Sequence, residues 1–152
     1  RYEFCVPSRT NEREPGRRED SVCVQSINLG DGVRMSYDLV VWEGEQPASD
    51  SAARDVFDEL MQQYQDSPEP VSPTPLIRSY VARLLARWPD LTECNEASVP
   101  WADGPLINNA SGPVIYFSLV ADMADEASAF CAREAIACGL VCFDPQLEEL
   151  RH

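Results

Sequence analysis

Residues 113–146 read PVIYFSLVADMADEASAFCAREAIACGLVCFDPQ, and their pattern decides the fold: a strand, a helix and a second strand. Val114 to Val120 is a run of apolar, aromatic and β-branched residues, the composition that suits a buried pleated surface. Asp122 is placed to cap the following helix, and Asp125 and Glu126 fall in its first turn, where carboxylates suit the helix dipole. The helix is alanine-rich, and Gly139 stands where a left-handed residue closes a helix. Leu140 to Phe143 returns as a short buried strand. Asp144-Pro145 stops it, because proline has no N–H to donate to a ladder.

Working back from this unit, Ser36 to Glu43 (SYDLVVWE) reads as the first strand. Tyr37, Leu39 and Val41 share one face; Asp38, Val40 and Trp42 share the other. Ser49 or Asp50 caps a first helix with the core-facing stripe Ala53, Val56, Phe57, Leu60, Met61 and Tyr64. Ser67 to Pro75 holds four prolines in nine residues, a stiff connector. Thr74-Pro75 then opens a second helix as N-cap and N1 proline. Its buried stripe is Ile77, Val81, Leu84, Leu85 and Trp88, and Pro89 ends it. Residues 90–104 read as an acidic loop. Pro105 to Asn108 reads as a short strand, with Asn109 to Gly112 turning into Val114–Val120.

The order strand, two helices, hairpin, helix, strand is a βαββαβ pattern with a doubled first crossover. The expected fold is α+β: a ferredoxin-like antiparallel sheet with the helices on one face. Right-handed crossovers would set the first, third and last strands side by side. Residues 35–152 form this single domain. Residues 1–34 are expected to be a charged extension, with 1–20 disordered or a loosely packed arm and Ser21 to Leu29 a piece that could add an edge strand.

Charge separates the two parts. Residues 1–34 hold six Arg and six acids, whereas 35–152 hold six Arg against twenty acids, so the whole net charge of −14 sits on the domain. A field that negative repels nucleic-acid phosphates and anionic membranes and attracts cations. No apolar run approaches the roughly 20 residues of a membrane-spanning helix. Six cysteines occur without a C-x-x-C pair. Cys131, Cys138 and Cys142 fall in or beside core elements, where free cysteine acts as a small apolar residue. A reduced, cytoplasmic protein is the expectation.

Two phrases, Met35-Ser36-Tyr37-Asp38-Leu39 through Trp42-Glu43-Gly44 and Gly139 to Gln146 (GLVCFDPQ), resemble a group of small uncharacterised proteins from high-GC bacteria. The resemblance spans 35–147. It implies a natural start at Met35 and an optional or non-native 1–34, and it carries no activity.

Elimination narrows the chemistry. The single histidine is the terminal His152 and there is no Lys. Intramolecular Ser-His-Asp or Cys-His groupings, histidine zinc sites, Schiff-base lysines and P-loop lysines are therefore absent from this chain. Cofactors are not expected. Carboxylates remain: an antiparallel last strand would bring Asp144 near Asp38, a pair that could hold Mg²⁺ or Ca²⁺. A metal-assisted hydrolase or lyase using Asp38, Glu43 and Asp144 is one alternative, and a homodimeric small-molecule-binding domain is another. The leading expectation is a non-enzymatic acidic interaction protein, an inhibitor or immunity-type partner of a basic protein. Its contact face would be the uncovered side of the sheet, carrying Asp38, Trp42, Tyr116 and Ser118. Cover from 1–34 or from the 90–104 loop would remove that face.

Overall fold

Leu39, Val40, Val41 and Trp42 are each 0–1% exposed, so the first strand has two inner faces. That single fact sets the architecture. The structure, a computed structural model, describes residues 36–94 and 98–152. What was expected of 1–34, its boundary at Met35 included, lies outside them. Strand β1 (Tyr37–Trp42) leads to helix α1 (Asp50–Leu60), which runs on as a π turn, Met61–Gln65. Helix α2 (Pro75–Arg87), the two-residue strand β2 (Ala110–Ser111) and strand β3 (Val114–Leu119) follow. Helix α3 (Ala124–Ala137), strand β4 (Val141–Asp144) and strand β5 (Glu149–Arg151) complete the chain. All strand pairs are antiparallel, in the order β2-β3-β1-β4-β5. The class is α+β, with a five-stranded antiparallel sheet and three helices.

The helices lie on both faces of the sheet, not on one. Leu39, Val41, Ile115, Phe117 and Leu119 pack with Ile77, Tyr80, Val81 and Leu84 of α2 and with Ala127, Cys131 and Ala135 of α3. Val40, Trp42, Val114, Val141 and Phe143 pack instead with Ala53, Val56, Phe57, Leu60, Met61 and Tyr64. The α1 stripe is the one expected, but its partner is the face expected to be open. A helical stripe says that a helix buries that side, not against which surface.

The proline-rich segment carries the chain from one layer to the other around the β2–β3 turn. Val71 N–H donates to Ser111 Oγ (3.1 Å), Gly112 N–H to Val71 O (2.9 Å) and Thr74 N–H to Gly112 O (3.0 Å). Gly112 has φ +54°, and a Cβ there would stand 2.8 Å from the Tyr64 ring. Both the left-handed backbone and the close approach demand glycine.

Both α2 caps are as expected: Thr74 Oγ1 accepts from Ile77 N–H (3.3 Å), and Trp88 ends the helix before Pro89. Ser49 caps α1, its Oγ accepting from Ala52 N–H at 3.2 Å. Gly139 closes α3 at φ +74°, with Leu140 N–H returned to Ala135 O (2.9 Å). Asp122, by contrast, is exposed in a 3₁₀ turn (Ala121–Met123) and does not cap α3, whose N-cap position is Met123.

Residues 105–109 form no strand. Leu106–Asn109 is a 3₁₀ turn, tied by Leu106 N–H donating to the buried Asp90 carboxylate (3.0 Å). Within the acidic loop, Val99 and Trp101 are core residues, 0% and 1% exposed. Trp101 bridges to Leu119, and Ala102 N–H and Val120 N–H exchange bonds with Ser118 O and Pro100 O (3.0 and 2.8 Å). The loop thus covers the edge of β3 beyond the end of β2, and the negative composition around Val99-Pro100-Trp101 hid that role.

Candidate functional site

Asp38, Tyr116 and Ser118 do come together. Asp38 pairs with Ser118 and Val40 with Tyr116 across β1 and β3, so period-two alternation puts the three side chains on one face. The Asp38 carboxylate accepts from Tyr116 Oη (2.7 Å) and Ser118 Oγ (2.6 Å). They are half-buried, and the Tyr116 ring lies against Phe57 of α1 at 6.5 Å between centroids. Burial, reinforced by the bond to Asp38, pushes the Tyr116 hydroxyl upward in pKa.

Trp42, the fourth residue expected on an open contact face, is enclosed. It is 1% exposed, with its ring 6.1 Å from Phe143 beneath α1. The correction follows from the second helical layer: α1 occupies the place assigned to a partner.

Asp144 belongs to the opposite face. Cys142 and Asp144 alternate with Val141 and Phe143, so Asp144 points with Tyr37 and Leu39 toward the α2–α3 layer, away from the Asp38 side chain. Its carboxylate is fully buried and saturated. It accepts from Tyr37 Oη, from Gln146 N–H (3.0 Å), from Leu147 N–H (3.0 Å) and from Gln146 Nε2 (3.1 Å), and Arg151 lies at 3.6 Å. Burial, then this bond, pushes the Tyr37 hydroxyl up to about 12.

The metal pair is therefore corrected as well. Asp38 and Asp144 lie on opposite sides of the sheet, and among the described residues no three His, Cys, Asp or Glu gather as metal ligands. Glu43 lies just past the other end of β1 from Asp38 and Asp144, where it accepts from Thr74 Oγ1 at the start of α2. Gln146, missed in the sequence, is the connecting piece. Its amide oxygen accepts from Asp38 N–H, and its Nε2 donates to Asp38 O (3.0 Å). The side-chain amide thus stands in for a backbone peptide and continues the β1–β4 ladder past Asp144. Among the described residues, no buried side-chain N or O lacks a hydrogen-bond partner. These polar groups hold the fold together.

Cys131 and Cys142 are buried and free, as expected; Cys138, expected with them, is half-buried, as is Cys94. Burial raises the Cys131 and Cys142 thiols, Cys142 to about 12. Both are therefore neutral and unreactive near pH 7. A raised folded pKa means that the unfolded chain gives up its protons first. Stability from these thiols and from Tyr37 is complete below the ordinary thiol value of 9.0 and is lost as pH climbs toward about 12. We expect the thermal midpoint to fall across that window and a thiol reagent at pH 8 to label Cys94 and Cys138 well before Cys131 and Cys142. Equal labelling rates for all four would contradict the burial described.

Charge is sorted between the two outer layers. Residues 43–69, which include α1, carry eight acids against Arg54 alone, net −7 and half of the chain's total. Asp55, Asp58 and Glu59 of α1 are exposed. Helix α2 carries Arg78, Arg83 and Arg87 and no acid. Arg83 and Arg87 pair with Glu134 (3.1 Å) and Glu126 (2.7 Å) of α3. No helix among the described residues is long and apolar enough to cross a membrane. Comparison with protein-family models, with curated proteins and with solved structures finds no match to the chain.

Proposed function

We propose that this protein is a non-enzymatic acidic interaction module that receives a basic protein partner on its α1 layer, with an inhibitor or immunity-type complex as the sharpest form. The observation that carries the reading is the seven exposed acids, against Arg54 alone, over residues 44–69, the segment that includes α1. A surface of one sign steers an oppositely charged partner and selects against like-charged ones. The internal use of Asp38, Glu43 and Asp144 in hydrogen bonds to Tyr116, Thr74 and Tyr37 supports this reading over carboxylate catalysis. We also read the strand order β2-β3-β1-β4 as ferredoxin-like, with α1 carried to the second face and β5 added at the edge. The free thiols suit a reducing, cytoplasmic setting.

The test uses an arginine-rich peptide as the cationic probe. Neutralising Asp55, Asp58 and Glu59 together (Asp→Asn, Glu→Gln) should slow association about tenfold at low salt. Stability should stay within about 0.5 kcal/mol, since these are surface positions. The wild-type rate should fall steeply as the Debye length shrinks toward about 8 Å at physiological salt. An association rate unmoved by the triple substitution would sink the proposal.

A further inference from the structure

On the far layer from α1, Arg87, Glu126, Ala129, Phe130 and Arg133 line a cleft of about 310 Å³ between α2 and α3. Its floor is aromatic. The Phe130 ring meets Trp88 edge-on at 5.2 Å, and both guanidiniums lie over it, Arg87 at 5.8 Å and Arg133 at 5.2 Å from its centroid. Arg87 also lies over Trp88 at 5.0 Å. A guanidinium held over a ring keeps its N–H fork free for a carboxylate. Arg87 Nη2 donates to Glu126 Oε1 at 2.7 Å. Among the described residues Arg133 makes no ion pair, and its guanidinium lies over the Phe130 ring. The cleft therefore holds two cations, one internal carboxylate and one open fork, in a protein whose net charge is −14.

From this we infer a second binding site, independent of the α1 layer and of opposite sign: the α2–α3 cleft takes a small carboxylate with a flat apolar body. The carboxylate engages Arg133 as Glu126 engages Arg87, and the apolar body rests on Phe130 and Ala129. A volume near 310 Å³ lies at the small end of ligand pockets, which favours a single-ring ligand over a peptide. The negative field of the whole molecule gives a carboxylate no long-range attraction, so contact terms alone hold it and affinity is modest.

Benzoate is the probe, followed by amide and indole signals in NMR. Saturable shifts around Trp88, Phe130 and Arg133 are expected, with a Kd on the order of 1 mM. Benzamide, which has the ring without the charge, should bind at least about tenfold more weakly. Arg133→Gln should weaken benzoate by a similar factor, while Arg78→Gln, on α2 and outside the cleft lining, should change nothing. Glu126→Gln should strengthen binding by freeing the Arg87 fork. Arg133 is exposed, so its variant folds, and an unchanged spectrum elsewhere confirms it. Equal binding of benzoate and benzamide would overturn the proposal. So would tighter binding of inorganic phosphate at the same signals, or a benzoate affinity indifferent to Arg133→Gln.

Discussion

Trp42→Ala removes about 3–5 kcal/mol of folding stability, the usual cost of cutting a buried tryptophan to alanine. The indole is 1% exposed and packs with Phe143 and with the α1 stripe. The substitution leaves a cavity under α1 that the rigid sheet cannot close, and it unpins the helix that carries the acidic layer. A domain of this size has about 5–15 kcal/mol in hand, so the variant should be marginal. Urea denaturation measures it: the midpoint should drop sharply with little change in slope. A loss below about 1 kcal/mol would mean that α1 does not cover this face and that Trp42 is available to a partner. Phe57→Ala, on the other side of the same contact, should destabilise by less, because Phe57 is only half-buried.

Asp144→Ala should cost about as much, roughly 3–5 kcal/mol, for a different reason. Removing one partner from a buried, hydrogen-bonded charge group strands the others. Here the stranded groups are the Tyr37 hydroxyl, the Gln146 and Leu147 N–H groups and the Arg151 guanidinium. Gln146 would also lose one of the two anchors that aim its amide at Asp38. The start of β1 and the β4–β5 turn are then expected to loosen together, which amide hydrogen exchange at Tyr37, Asp38 and residues 146–149 would report. Asp144→Asn keeps one acceptor oxygen and should recover part of the loss. If Asp144→Ala folds with unchanged stability, the network around it is not the lock described. Because the stability term comes from buried geometry, the variant's effect should be present at low and high salt alike.

The two largest effects fall on residues that sequence reasoning assigned to function. The assignment failed for a physical reason visible in β1 itself. A half-exposed antiparallel strand alternates apolar with polar, whereas Leu39-Val40-Val41-Trp42 is apolar throughout, the mark of a strand buried on both sides. Val141-Cys142-Phe143 carries the same mark. Those two runs were the available signal that a second layer covers the sheet, and the polar Asp38 and Ser118 drew attention away from it.

What the sequence determined by itself is most of what local physical chemistry controls, the Asp122 cap and the strand at Pro105–Asn108 excepted. The strand at Val114, the alanine-rich helix closed by Gly139, the stop at Asp144-Pro145, the Thr74-Pro75 helix start and the α1 stripe all rest on backbone and side-chain preferences acting within a few residues. Charge and the lack of lysine are likewise properties of composition. Tertiary structure alone decided which face α1 covers, that Val99 and Trp101 belong to the core and that Asp38 and Asp144 point apart. It also decided that Gln146 extends the sheet with its side chain and that Arg87 and Arg133 meet over Phe130. Each of these joins residues far apart in the chain. Periodicity reports that a surface is buried, but its partner is chosen by where the proline-rich connector carries the chain, and that is a property of the folded whole.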